Sequence, residues 1–146
     1  MRQAAAVQLG VFVETHWKFH SDEQAKKVTV PGFEYIIINQ ADKDQVRASI
    51  LGKMFECNIA VINKQYTRCL MTISRFDYPE RWPNITQLVT EALTSGNELA
   101  IMTGLNALFA LAKKYEYEME DDRDPLLELM DKMLPLMGSL VETFMQ

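Results

Sequence analysis

Stacked helical hairpins, an all-α superhelix (a HEAT- or armadillo-like solenoid) of about three hairpins, follow from three observations on this sequence. Apolar residues from Asp42 onward recur at i, i+4, i+7 and i+8, the spacing of one helix face. Helices opening at about Asp42, Glu80 and Pro125 each begin a hairpin, and these starts stand about forty residues apart, the period of two-helix repeats. Between two strongly periodic segments lies Asp77-Tyr78-Pro79-Glu80-Arg81-Trp82-Pro83, whose two prolines cannot both sit inside a regular helix. That stretch is a corner.

Each element has its own grounds. Residues 2–17 have helical character, with Ala5, Leu9, Phe12, Val13 and His16 on one face and Val7 and Val11 opposite. A helix apolar all round expects neighbours on both sides, so this one reads as the second half of a hairpin whose first half is absent. Residues 18–40 break the pattern. Val28-Thr29-Val30 and Phe33 to Ile38 suit a β-hairpin by propensity, but an isolated two-stranded hairpin is marginal. An irregular connection with Ile36–Ile38 packed on the helices is the expectation.

Asp42 with Gln45 has the form of a capping box, ahead of a stripe of Val46, Ile50, Leu51, Met54 and Phe55. After the break at Cys57-Asn58, Ile62, Tyr66, Cys69, Leu70 and Ile73 form the next stripe. At the corner, Asp77 and Glu80 suggest another capping box, Pro79 suits a first helical turn, and Trp82 is an apolar lock. Ile85, Leu88, Val89, Ala92 and Leu93 follow. Ser95-Gly96-Asn97 then supplies a helix-ending glycine and an N-cap for a helix with core residues Ile101, Leu105, Leu108, Phe109 and Ala112. Asp124-Pro125 opens the last helix, whose core side is Leu126, Met130, Met133, Met137, Leu140 and Phe144, with Pro135 as a point of bending.

The chain has 146 residues, 48% hydrophobic and 24% charged, enough for one domain with a sizeable core. A net charge of −5 argues against non-specific nucleic-acid binding. Cys57 and Cys69 lack metal or redox spacing and read as buried thiols of a reducing compartment. The apolar run from Ile101 to Ala112 is too short to span a bilayer, so a soluble, intracellular protein without membrane insertion is expected. His16 and His20 stand at i, i+4 without a third ligand nearby, so no metal is expected. No glycine-rich phosphate loop, GxSxG or HExxH occurs, which argues against an enzyme or a cofactor. The acidic residues Glu116, Glu118, Glu120, Asp121, Asp122 and Asp124 read as a solvated loop, and the methionines as packing filler.

Four stretches, in order, resemble the importin-β (karyopherin-β) nuclear transport receptors, above all the importin seven/eight branch. They are Arg2-Gln3-Ala4-Ala5-Ala6-Val7-Gln8-Leu9 closing at His16-Trp17; Asp42-Lys43 with Val46-Arg47 and Ile50-Leu51; the corner itself; and Gly104-Leu105 with Lys113-Lys114-Tyr115-Glu116-Tyr117-Glu118 and Asp122-Arg123-Asp124-Pro125-Leu126. The family's Lys-Asn pair in the first stretch is Gly10-Val11 here. The resemblance implies an N-terminal segment with a repeat-one helix at 2–17, a linker at 18–40, repeat two at 41–76, repeat three at 77–118 and the first helix of repeat four at 124–145.

The resemblance further implies shuttling between cytoplasm and nucleus, and binding of RanGTP through the second helices of the first repeats. Cargo and nucleoporin sites would lie mostly beyond this chain. A partner surface on those helices must lie opposite their core stripes. That selects Lys64, Thr67, Arg68, Met71 and Arg75 on one helix, and Thr103, Asn106, Ala107, Ala110, Lys113 and Lys114 on the other. Asp77, Pro79, Trp82 and Pro83 are expected to be a structural corner. The competing reading is a HEAT-repeat scaffold or adaptor without Ran dependence.

Overall fold

A computed structural model describes residues 2–27, 30–32 and 36–145. Among them run α1 (Arg2–His16), α2 (Asp22–Lys27), α3 (Gln40–Glu56), α4 (Ala60–Asp77), α5 (Ile85–Leu93), α6 (Glu98–Lys114) and α7 (Asp124–Phe144), with a 3-10 turn at Glu120–Asp122. No strand occurs among the described residues, and the hairpin alternative falls in part on residues 28–29 and 33–35, outside them.

Two layers result. α4 lies between α1 and α6, so the three form one layer; α3 packs on α4 and α6, and α5 on α6 and α7, forming the other. This is the alternation of an α-α solenoid. The core between the layers holds Trp17, Met54, Leu70, Ile73, Trp82, Ile85, Leu93 and Leu111, each no more than 2% exposed.

Helix ends follow their local chemistry, with three corrections. α3 starts before the Asp42–Gln45 box, because Asn39 is the N-cap: its side-chain oxygen accepts from the Asp42 amide at 2.8 Å, and its Nδ2 donates to Asp42 Oδ2 at 2.6 Å. Asp77 caps no outgoing helix. It is the last residue of α4, and its carbonyl accepts from the amides of Arg81 (2.7 Å) and Trp82 (3.0 Å), which folds the corner back on the helix end. α5 accordingly opens at Ile85 rather than Glu80, and Pro79 follows a cis peptide bond in the turn. Further along, Gly96 has φ +69°, Asn97 caps α6 by accepting from the Ala100 amide at 3.0 Å, and proline occupies the first turn of α7.

Several faces also differ from the expected stripes. α1 buries Ala6, Gly10 and Val13, with Trp17 just past its end, while Leu9 and Phe12 stay exposed. Its packing partner is α4, and a Cβ on Gly10 would sit 3.1 Å from Gln65 Oε1, so the glycine allows a close approach. On α6, Phe109 is exposed and not core, whereas Thr103, Ala107 and Ala110 are buried, because the helix is flanked by α3, α4 and α5 at once. A Cβ on Gly104 would meet Ala92 Cβ and the Leu93 side chain at 3.1 Å, so α6 approaches α5 where it has no side chain. On α7, Leu129 and Met133 are buried and Phe144 is exposed. Ile38 packs against the core while Ile36 is exposed. Cys69 is buried, its thiol pushed up to about 11 by desolvation, and Cys57 is half-buried; both are free thiols.

Trp82, 2% exposed, carries the corner's apolar contacts. Trp82→Ala should destabilise the chain by about 3–5 kcal/mol, as large-to-small changes of buried aromatics do. Urea unfolding followed by circular dichroism reads this directly.

Candidate functional site

Two constellations stand out, one buried and one open. The buried one is centred on the fully buried carboxylate of Asp77 at the end of α4. Its Oδ2 accepts from Trp17 Nε1 at 2.9 Å and from the Arg47 guanidinium, which also pairs with Asp44 on its own helix. Its Oδ1 has no hydrogen-bond partner among the described residues and lies 3.9 Å from His20 Nε2. Lys43, 1% exposed, spends its three donors on the Trp17 carbonyl (2.7 Å), the Phe19 carbonyl (2.8 Å) and His20 Nδ1 (3.2 Å). These carbonyls follow the end of α1, where a cation also complements the helix dipole. With Nδ1 accepting from an ammonium, the neutral His20 ring carries its proton on Nε2, facing Asp77.

Sequence reasoning missed this cluster. Lys43 and Arg47 do fall at i−7 and i−3 from Ile50, in phase with the core stripe, a signal that charged side chains point inward there. Nothing local marks Asp77 as their counterion, since it is distant in sequence and resembles a cap.

The open constellation is a groove of about 510 Å³ over the α1–α4–α6 layer. It is lined by Arg68, Met71, Thr72 and Arg75 of α4, Ala110, Lys113 and Lys114 of α6, Glu14 of α1, and the turn Glu116–Glu118. Six of the residues predicted for the partner face, Arg68, Met71, Arg75, Ala110, Lys113 and Lys114, thus meet in one place, four of them basic. The Arg68 guanidinium is held by Glu14 in a two-pronged pair at 2.8 and 3.1 Å and donates to Gln65 at 3.2 Å. Lys113 pairs with Glu116 one turn on, both about 40% exposed; solvent screens such a surface pair, so either side chain can change partners. Lys114 is half-buried, donates to the Tyr78 carbonyl and has its pKa lowered by burial. Arg75 is exposed, its guanidinium 6.0 Å from the Phe76 ring.

The remaining predicted residues lie elsewhere. Lys64 is exposed nearer the start of α4, and Thr67 is half-buried with its hydroxyl on the Asn63 carbonyl at 3.0 Å. Asn106 is half-buried on α6. Thr103, 1% exposed and bonded to the Leu99 carbonyl at 2.9 Å, has no surface to offer a partner. In its place the open face of α6 shows Met102 and Phe109, which the apolar periodicity had assigned to filler and core. The corner residues Asp77 and Trp82 are buried, Pro79 is half-buried and Pro83 is exposed. Among the described residues no group of three or more His, Cys, Asp or Glu side chains could hold a metal, and no helix is long and apolar enough to cross a membrane.

An α-α solenoid with a charged groove over one layer of helices defines a class of interaction proteins. Comparison with known sequences narrows it. The chain is 31% identical to Importin-8 of Danio rerio over 97% of its own length and 13% of that protein's. It is 30% identical to Importin beta-like SAD2 homolog of Arabidopsis thaliana, over 92% of the chain and 12% of the relative. Exportin-2 of Drosophila melanogaster is 22% identical over 99% of the chain and 14% of the relative. The chain belongs to the importin-β family, on its importin-8 branch. It spans about 13% of the length of that first relative. No family model and no solved structure matches it.

Two outcomes are expected of the buried cluster. Asp77→Asn keeps the shape but leaves Arg47 and Lys43 without their buried counterion, a change that costs about 3–5 kcal/mol, read as a lower urea midpoint. His20 has its pKa lowered from 6.5 by burial first, then by Lys43 and Arg81, with Arg47 adding to and Asp77 opposing the effect. The folded chain therefore binds fewer protons than the unfolded chain just below pH 6.5. Stability present above that pH should be lost as pH falls through it, and thermal unfolding of His20→Gln at a series of pH values should show a flatter dependence.

Proposed function

We propose that this chain is the Ran-binding N-terminal part of a nuclear transport receptor, which binds Ran in its GTP form and carries protein cargo through nuclear pores. The observation that supports it best is the groove over α1, α4 and α6, where Arg68, Arg75, Lys113 and Lys114 converge on one layer of helices. The mechanism is linkage: RanGTP bound to this layer favours a receptor state of low cargo affinity, so one partner displaces the other. Protein cargo and nucleoporins would be held by parts of the receptor beyond this chain, which would shuttle between cytoplasm and nucleus. No catalytic step or cofactor enters this mechanism.

A second reading, a HEAT-repeat scaffold without Ran dependence, is favoured by one detail. Arg68, Lys113 and Lys114 are already engaged, by Glu14, Glu116 and the Tyr78 carbonyl. The two readings separate on a sizing column. Mixed at micromolar concentration with Ran loaded with a non-hydrolysable GTP analogue, the chain should co-elute, and with Ran·GDP it should not. Equal behaviour with both nucleotides would favour the scaffold. Charge reversal of Arg75 and Lys113 together should weaken the complex by about tenfold or more if the groove is the contact.

A further inference from the structure

We infer that the open face of α6 is an anchor for one kind of partner element: an acidic polypeptide segment carrying an apolar side chain. The inference deepens the proposed function and rests on its assignment of the α1–α4–α6 layer as the partner face. Met102 and Phe109 are 52% and 57% exposed on α6. Two turns apart, they share one stripe of the helix, about 10 Å end to end. Scattered apolar side chains on a surface need no explanation, but these two occupy the single face of α6 left open after α3, α4 and α5 have closed the others. Lys113 continues the stripe one turn later. On α4 the matching open stripe carries Lys64 and Arg75, with half-buried Met71 between them. Neither Lys64 nor Arg75 has an ion-pair partner among the described residues.

An apolar centre within a polar rim is the anatomy of a protein interface, and on the α4 side of this one the exposed charges, Lys64 and Arg75, are positive on a chain of net charge −5. Carboxylates on the partner would meet Lys64, Arg75 and Lys113, while its apolar side chain covers Phe109 and Met102. A nucleic-acid strand would bring phosphates as well, but no aliphatic side chain to cover Met102 beside Phe109. A polypeptide fits better because it supplies both chemistries at once.

Fluorescence anisotropy with three labelled synthetic peptides and one single-stranded RNA tests this. The first peptide has aspartates and glutamates around a central Leu-Trp; the second replaces Leu-Trp with serines; the third replaces the acids with lysines. The first should bind best and weaken as salt is raised. Phe109→Ala should weaken it by about tenfold with an unchanged thermal midpoint, since that ring is exposed, and Arg75→Gln should reduce the salt dependence. Equal binding of the serine peptide, no effect of Phe109→Ala, or tighter binding of the basic peptide or the RNA would each overturn the inference. Its failure is distinguishable from that of the functional reading. Peptide binding that depends on Phe109 without any RanGTP complex leaves the anchor standing and removes Ran; a RanGTP complex indifferent to Phe109→Ala does the reverse.

Discussion

A carboxylate buried to zero exposure at the end of α4 constrains the rest of this molecule. An ion removed from water costs several kcal/mol unless its charge and lone pairs are met, so Asp77 requires donors from elsewhere in the chain. It takes one from Trp17, past the end of α1, and one from Arg47 on α3. Three helices remote in sequence are thereby held in one mutual position. Lys43 extends the tie by closing the carbonyls that follow α1, with its ammonium 5.3 Å from the Trp17 ring. Lys114 on α6 reaches the Tyr78 carbonyl on the far side of the same helix end.

The hub sets the geometry of the surface. With α1 and α4 tied at their C-terminal ends and α6 tied to the corner, the three helices lie side by side and their outer stripes form one face. Arg75 and Lys113, distant in sequence, then line one groove. Close packing comes from missing side chains, within the layer at Gly10 against Gln65 and between the layers at Gly104 against α5. The buried charges supply register, and the apolar core supplies most of the stabilisation, consistent with the general weakness of buried ion pairs as a net source of stability. Membership of the importin-β family agrees with this division, because stacked hairpins present the side chains of a whole layer of helices as one surface.

The helices other than α2, which lies in the stretch expected to be irregular, and most helix ends were legible in the sequence because they depend on neighbours within a turn or two. The Gly96–Asn97 stop-and-start, the proline in the first turn of α7 and the burial of Trp82 are all local consequences of residue type. The ends that were misread, Asp42 and Asp77, involve aspartates whose capping pattern was present while a different partner prevailed. At α3, Asn39 lies earlier and its side chain takes the Asp42 amide. At Asp77, the side chain is drawn inward by Arg47 and Trp17, 30 and 60 residues away.

The candidate site divides in the same way. That Lys64 and Arg75 face outward could be read from the stripe of α4 opposite its apolar one. For α6, with apolar or small residues on every side, periodicity carried no direction; Thr103 went to the interior and Phe109 to the surface. By itself the sequence determined the six longer helices, their approximate forty-residue spacing and the family, since these rest on local backbone preference and on residues matched in order. The tertiary structure alone decided which face of α1 and α6 is buried, where the charge of Asp77 goes and which cations share a groove. Those outcomes depend on how many neighbours a helix has and on charges brought together from distant parts of the chain.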